Sequence, residues 1–154
     1  MALRELVRLR EGRRAQPSAC VIDAQSIKTS TSVPASGLGT DAAKKIVGRK
    51  RSIVVDSIGL LLAVLVTAAS VQNSTAGTRL LDQVAADHPT HRKVWVDGGY
   101  RQHVVEHAAT LGVDLEIVAR IPGTRGFTPI PKRWAVERTY GWLMLHATAR
   151  TDRC

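Results

Sequence analysis

RKRSIVVDSIGLLLAVLVTA, residues 49–68, sets the fold class of this chain. Two β-rich runs, 49–56 and 60–68, flank Asp56-Ser57-Ile58-Gly59, with Asp at the first position of a tight turn and Gly at the last. The Asp side chain accepts hydrogen bonds from backbone amides just after it, and Gly reaches backbone angles closed to other residues. The stretch therefore predicts an antiparallel hairpin. Toward the N-terminus, residues 19–27 contain CVID and read as another strand, with Asp23 behind an apolar run. Between them, STSVPASGLGTD (30–41) is a loop by composition. Residues 1–10 place Leu3, Leu6, Val7 and Arg10 at helical spacing, a short helix with nothing before it to receive its apolar stripe.

Toward the C-terminus, residues 75–87 predict a helix with Leu80, Leu81 and Val84 inside and Asp82 and Asp87 outside, stopped by Pro89. A short strand at 94–96 ends on Asp97 and runs into Gly98-Gly99. Residues 100–111 form a second helix closed by Gly112, 115–121 a fifth strand and 132–146 a final helix after a Gly/Pro-rich loop. The order β-β-β-α-β-α-β-α predicts an α/β fold, a mixed five-stranded sheet flanked by helices. That is the ribonuclease H-like layout.

Composition narrows the function. The 154 residues suit one domain. With 22 Lys and Arg against 13 Asp and Glu, the formal charge is +9, which points to a polyanionic partner. Cys20 and Cys154 have no CxxC spacing, so neither a zinc site nor a disulfide framework is indicated and a reducing cytoplasm is expected. The longest apolar run, residues 58–69, is about half the ~20 residues of a membrane helix, and no signal core is present at the N-terminus.

Three acids stand out by position. Asp23 sits on a strand otherwise built of Val and Ile, where a carboxylate is costly unless paired or metal-bound. Asp97 ends a strand before two glycines, at the edge where open α/β sheets bind ligands. Glu137 lies on the last helix, one turn after Arg133. A turn residue, an Asp-Gly turn and an exposed ion pair are the bland readings of each. Together the three suit two divalent metals, which need hard oxygen ligands to activate one oxygen and stabilise another at one phosphorus.

VIDAQSIKT, GRKRSIVVDSIGLLLAVLVTAASVQN, VWVDGGY and RWAVERTYGWL closely resemble the catalytic region of bacterial DDE-type transposases of the insertion-sequence-four and insertion-sequence-five group, from about Arg14 to Leu145. The resemblance implies Asp23, Asp97 and Glu137 as catalytic, metal-binding residues holding two Mg2+ or Mn2+ ions. It also implies double-stranded DNA as partner and cut-and-paste movement of an element with terminal inverted repeats. A homodimer is expected in the active complex. In that group an arginine precedes the glutamate by four residues, as Arg133 does, and a lysine follows it by seven, where this chain has Met144. Family members also carry a helical DNA-binding region ahead of the first aspartate and an arginine-rich continuation after the last helix. Residues 1–18 therefore read as a remnant of the upstream region, 19–146 as the catalytic core and 147–154 as a divergent tail, as though both ends were cut.

Lys44, Lys45, Arg49, Lys50 and Arg51 are candidate phosphate contacts, or else a basic edge strand, and Lys132, Arg133 and Arg138 beside Glu137 are placed to meet DNA backbone. Trp134 and Trp142 are read as helix packing, with base stacking as the alternative. His103 and His107, one turn apart, lack a third ligand and read as a solvated face. Two other functions fit the same residues: an inactive remnant that binds DNA by charge alone, and a nuclease of this fold acting on RNA–DNA hybrids.

Overall fold

The computed structural model describes residues 2–29, 34, 36, 38–118 and 135–142. Its elements are α1 (Leu3–Arg10), β1 (Ala19–Lys28), β2 (Gly39–Asp41), β3 (Ile46–Asp56), β4 (Leu61–Ala68), α2 (Asn73–Asp87), β5 (Lys93–Asp97), α3 (Gln102–Thr110) and β6 (Asp114–Val118). Residues 135–142 form a further helix, α4.

The expected hairpin is β3–β4, paired antiparallel from Arg49↔Ala68 to Val55↔Leu61. Its turn works as the sequence suggests. Asp56 Oδ1 accepts the amides of Ile58 at 3.0 Å and Leu60 at 2.9 Å, while Gly59 sits at φ +84°. β3 also pairs antiparallel with β1, and β1 pairs parallel with β5, which pairs parallel with β6. The five long strands thus run in the order β4-β3-β1-β5-β6, the mixed sheet anticipated from the element order. A sixth strand departs from that expectation. β2 falls at the end of the segment read as loop and pairs with residues 46–48 of β3. Three residues are too few to show a period of their own, so their strand state comes from the partner.

Alternation along the strands assigns two faces. One buries Ile22, Val54, Val94 and Val96 against Leu80, Leu81 and Val84 of α2 and Val104 and Ala108 of α3. The other buries Val21, Ile53 and Val55, with Trp95 partly covered, against Ala135, Val136 and Tyr140 of α4. The sheet is sandwiched between helices, and every acid on an odd-numbered position of β1 or β5 projects toward the α4 side.

At the start of β1 a second, ionic core replaces apolar packing. Arg8 of α1 is buried and paired with Asp56 Oδ2, itself fully buried, and Arg8 Nε donates to Arg14 O at 2.8 Å. The helix docks through this arginine; its apolar stripe faces outward, with Leu3 76% exposed.

Candidate active site

The Val21↔Trp95 pairing of β1 and β5 fixes the site. Two residues beyond it on the two parallel strands stand Asp23 and Asp97, so period-2 alternation puts both carboxylates on the α4 face at one level of the sheet. Both are partly exposed. The turn after β5 is shaped around Asp97: the Gly99 amide donates to Asp97 Oδ1 at 2.9 Å, and a Cβ on Gly99 would lie 3.0 Å from that oxygen. The two glycines leave room for backbone to wrap the carboxylate.

α4 lies across the same face and is tied down at two places. Tyr140 Oη is within hydrogen-bonding distance of the Asp23 and Arg51 carbonyls, at 3.1 and 3.2 Å. Thr139 Oγ1 meets Gly59 O at 2.6 Å, and Arg138 donates to Ile58 O, so the helix also clasps the hairpin turn. Glu137 and Arg138 are exposed on this helix. Asp23 and Asp97 are thus brought together. Among the described residues, however, no three His, Cys, Asp or Glu side chains form a group that would hold a metal ion. A pair of carboxylates still fits a hard divalent cation, since Mg2+ is commonly held by one or two carboxylates with water and phosphate oxygens completing its shell.

Two tyrosines border the pair. Tyr140 is pushed above the usual phenol range by burial and by the charge of Asp23. Tyr100 is raised as well, by burial first and then by Asp23 and Asp97, so both phenols stay protonated. Sequence reading passed over Tyr100. Its place directly after the Asp97-Gly98-Gly99 turn was the available signal.

The basic residues separate. Lys44, Lys45 and Arg49 are exposed, Lys45 in a turn at φ +53°. Arg51 is half-buried, with its guanidinium 5.6 Å from the Tyr140 ring centre and a hydrogen bond to Gln25 Oε1 at 2.9 Å. Lys50 corrects the expectation of a phosphate contact. It is buried on the opposite face of β3, donating to Val71 O at 2.8 Å, with Asp41 Oδ2 at 3.6 Å. Arg138 covers the Trp142 ring at 4.9 Å, and Trp142 is exposed rather than packed in the core. Lys132, Arg133 and Trp134 lie outside the described residues, as do Met144 and Cys154. His107 pairs with Asp82 of α2 at 2.7 Å and His103 is exposed, a surface role for both.

A mixed sheet in this strand order, with an acidic pair at one level of two neighbouring parallel strands, defines a ribonuclease H-like fold. The sequence matches the transposase DDE domain family over residues 14–153, and the chain belongs to that family, a class of DNA phosphoryl-transfer enzymes. No curated protein matches the sequence. Among solved structures, the fold is similar to the catalytic core domain of BIV integrase, at 14% identity and a TM-score of 0.57 over 89% of this chain and 73% of that one. A weaker similarity is to the Mos1 transposase in a paired-end complex with the left transposon end, at 12% identity and a TM-score of 0.41 over 72% of this chain and 38% of that one. No helix among the described residues is long and apolar enough to cross a membrane.

Proposed function

We propose that this chain is the catalytic core of a metal-dependent DNA transposase of the insertion-sequence-four and insertion-sequence-five group, cutting phosphodiesters at element ends and joining them to target DNA. One observation carries the proposal: Asp23 and Asp97 project from adjacent parallel strands onto one face at one level. Asp23 and Asp97 would hold Mg2+ or Mn2+, with Glu137 as third carboxylate completing a second site. Helix geometry supports that role. At 3.6 residues per turn, Glu137 and Arg138 flank opposite edges of the buried stripe formed by Ala135, Val136, Thr139 and Tyr140. Arg138's edge meets the hairpin turn, so Glu137 lies on the Tyr140 edge, where the hydroxyl reaches Asp23 O.

When bound, the cations supply charge neutralisation at phosphorus and make the attacking hydroxyl more acidic. The protein's own part is positional. Gly99 N orients Asp97 Oδ1, Tyr140 anchors α4 to β1 beside Asp23, and exposed Lys44, Lys45 and Arg49, with Arg51, Lys132, Arg133 and Arg138, contact DNA backbone. Two ends of an element must be processed together, which calls for a second copy of the chain.

Asp97→Asn is the decisive test. Manganese-dependent cleavage of a duplex carrying the element's inverted repeat should fall about a hundredfold or more, with the melting temperature held. Undiminished cutting would sink the assignment. The absence of a three-ligand group among the described residues favours one rival, a remnant that binds DNA by charge alone. That rival predicts duplex binding with no response to Mn2+ in either the parent or Asp97→Asn.

A further inference from the structure

The two edge strands of the sheet differ in character. β6 is five residues long and carries Asp114 and Glu116, paired with Lys93, their side chains 72% and 54% exposed. A short edge bearing charge resists pairing with another strand. β4 has no such guard. It is eight residues long, LLAVLVTA, without a charge, a glycine or a proline. β3 takes one side of it, and among the described residues no strand takes the other. The ladder with β3 decides which groups are left over. Ala69 N donates to Gly48 O at 3.0 Å, so alternation turns residues 63, 65 and 67 toward β3 and the N–H and C=O groups of Val64, Val66 and Ala68 outward. Val64 and Val66 are also 46% and 53% exposed. Near the start of the strand, Arg4 Nη1 lies 3.5 Å from Leu61 O and leaves these three residues uncovered.

An unpaired row of backbone groups beside β-branched apolar side chains is a template for one more strand. Charge and symmetry say which strand. The chain carries +9, yet none of that charge lies on β4, so DNA finds no cation there and a like-charged chain meets no repulsion. An uncharged edge is also complementary to itself, since two antiparallel copies about a twofold need no second, matching surface. We propose that β4 is the interface with a second copy of this chain, joined edge to edge into one continuous sheet. Val64 of each copy lies opposite Val66 of the other, with Leu65 on the twofold. Val64 and Val66 pair with Ile53 and Arg51 of β3 and so belong to the α4 face. A twofold normal to the sheet keeps that face on one side in both copies. Both acidic pairs then look the same way, as joint processing of two element ends requires. That consequence rests on the transposase reading, whereas the interface does not.

The test is sedimentation equilibrium of the full chain over roughly 1–100 µM, without DNA or metal. The parent and Asp97→Asn should both form a dimer. Val64→Lys and Val66→Lys should stay monomeric throughout, at the parental melting temperature because both sites are exposed. Asp114→Ala, on the other edge, should dimerise as the parent does. Amide hydrogen exchange on the parent needs no variant: the Val64, Val66 and Ala68 amides should be protected at the highest concentration and open at the lowest. Should a lysine variant melt below the parent, those amides decide. A monomeric parent overturns the proposal, and so does assembly beyond the dimer. A dimer that survives both lysines, or leaves the three amides unprotected, overturns it too. Loss of cutting in Asp97→Asn with the dimer intact keeps the cation site and the interface separate, so that either can fall alone.

Discussion

The two ends of β1 treat buried acid in opposite ways. At its start, Cys20 pairs across the sheet with Asp56, and Asp56 is sealed: one oxygen takes two turn amides, the other takes Arg8. Three residues on, Asp23 and its neighbour Asp97 stay partly open. A carboxylate satisfied wholly by its own chain has nothing left to bind, and its work is to hold α1 and the hairpin in register. Carboxylates that remain partly solvated, as these two do, stay within reach of groups from outside the chain. Charge alone does not separate structure from function here. Exposure to solvent does.

The strongest way to break that contrast is to open the sealed end. Arg8→Met leaves Asp56 charged and buried, so unfolding stability in urea should drop by about 3–5 kcal/mol. The folded fraction should keep its Mn2+ affinity, since Arg8 sits at the far end of β1 from Asp97. Adding Asp56→Leu should recover only part of the loss, because the Ile58 and Leu60 amides lose their acceptor with it. A metal affinity that falls with stability would show the two ends to be one unit.

A smaller effect comes from pH. His91 is buried, and neither ring nitrogen has a hydrogen-bond partner among the described residues. Burial, and then the charge of His88, push it down from 6.5 to about 4; Arg8 adds to this and Asp56 opposes it. His88 shifts the same way, through burial and then Arg4. Because the folded state binds the proton less readily than the unfolded chain, the contribution is whole above about pH 6.5 and is lost as pH falls toward 4. From pH 7 to pH 5 the His91 share amounts to about 2 kcal/mol. Urea midpoints at the two pH values should diverge for the parent and converge for His91→Gln. An unchanged divergence would move the titration elsewhere.

The open end was far more legible in the sequence than the sealed one. Asp23 and Asp97 announced themselves because each interrupts or ends an apolar run, a local signal that strand periodicity makes visible. The Asp56 turn was legible too, yet only half of what Asp56 does. Its second oxygen is met by Arg8, which lies 48 positions earlier on a helix whose apolar stripe was read as having nothing before it to receive it. Long-range ion pairs leave no period in a sequence. Tyr100 was hidden for a different reason: an aromatic after a turn is ordinary, and only its burial with a hydroxyl that has no partner among the described residues marks it. β2 was illegible because its register is borrowed wholly from β3.

The smallest effect tests the surface that borders the open end. Arg49, Lys50 and Arg51 look alike as a basic run, but strand alternation sends the middle side chain to the opposite face, and that signal was present in the sequence. Arg49 is exposed, so removing it should subtract about one unit from the slope of log binding constant against log salt for duplex DNA, with little change in folding. Lys50 holds Val71 O and the Asp41 carboxylate in the opposite layer. Asp41 is kept below the usual carboxylate range chiefly by its Ser26 hydrogen bond, with the charge of Lys50 assisting. Lys50→Ala should therefore leave the salt slope unchanged and lower stability by about 1–3 kcal/mol, because the Val71 carbonyl and Asp41 lose a buried donor. Fluorescence anisotropy across a salt series, paired with urea unfolding, reads both quantities on the same proteins. If the two variants exchange behaviours, β3 presents the other face to DNA, and the acidic pair that shares Arg49's side of the sheet must be reassigned with it.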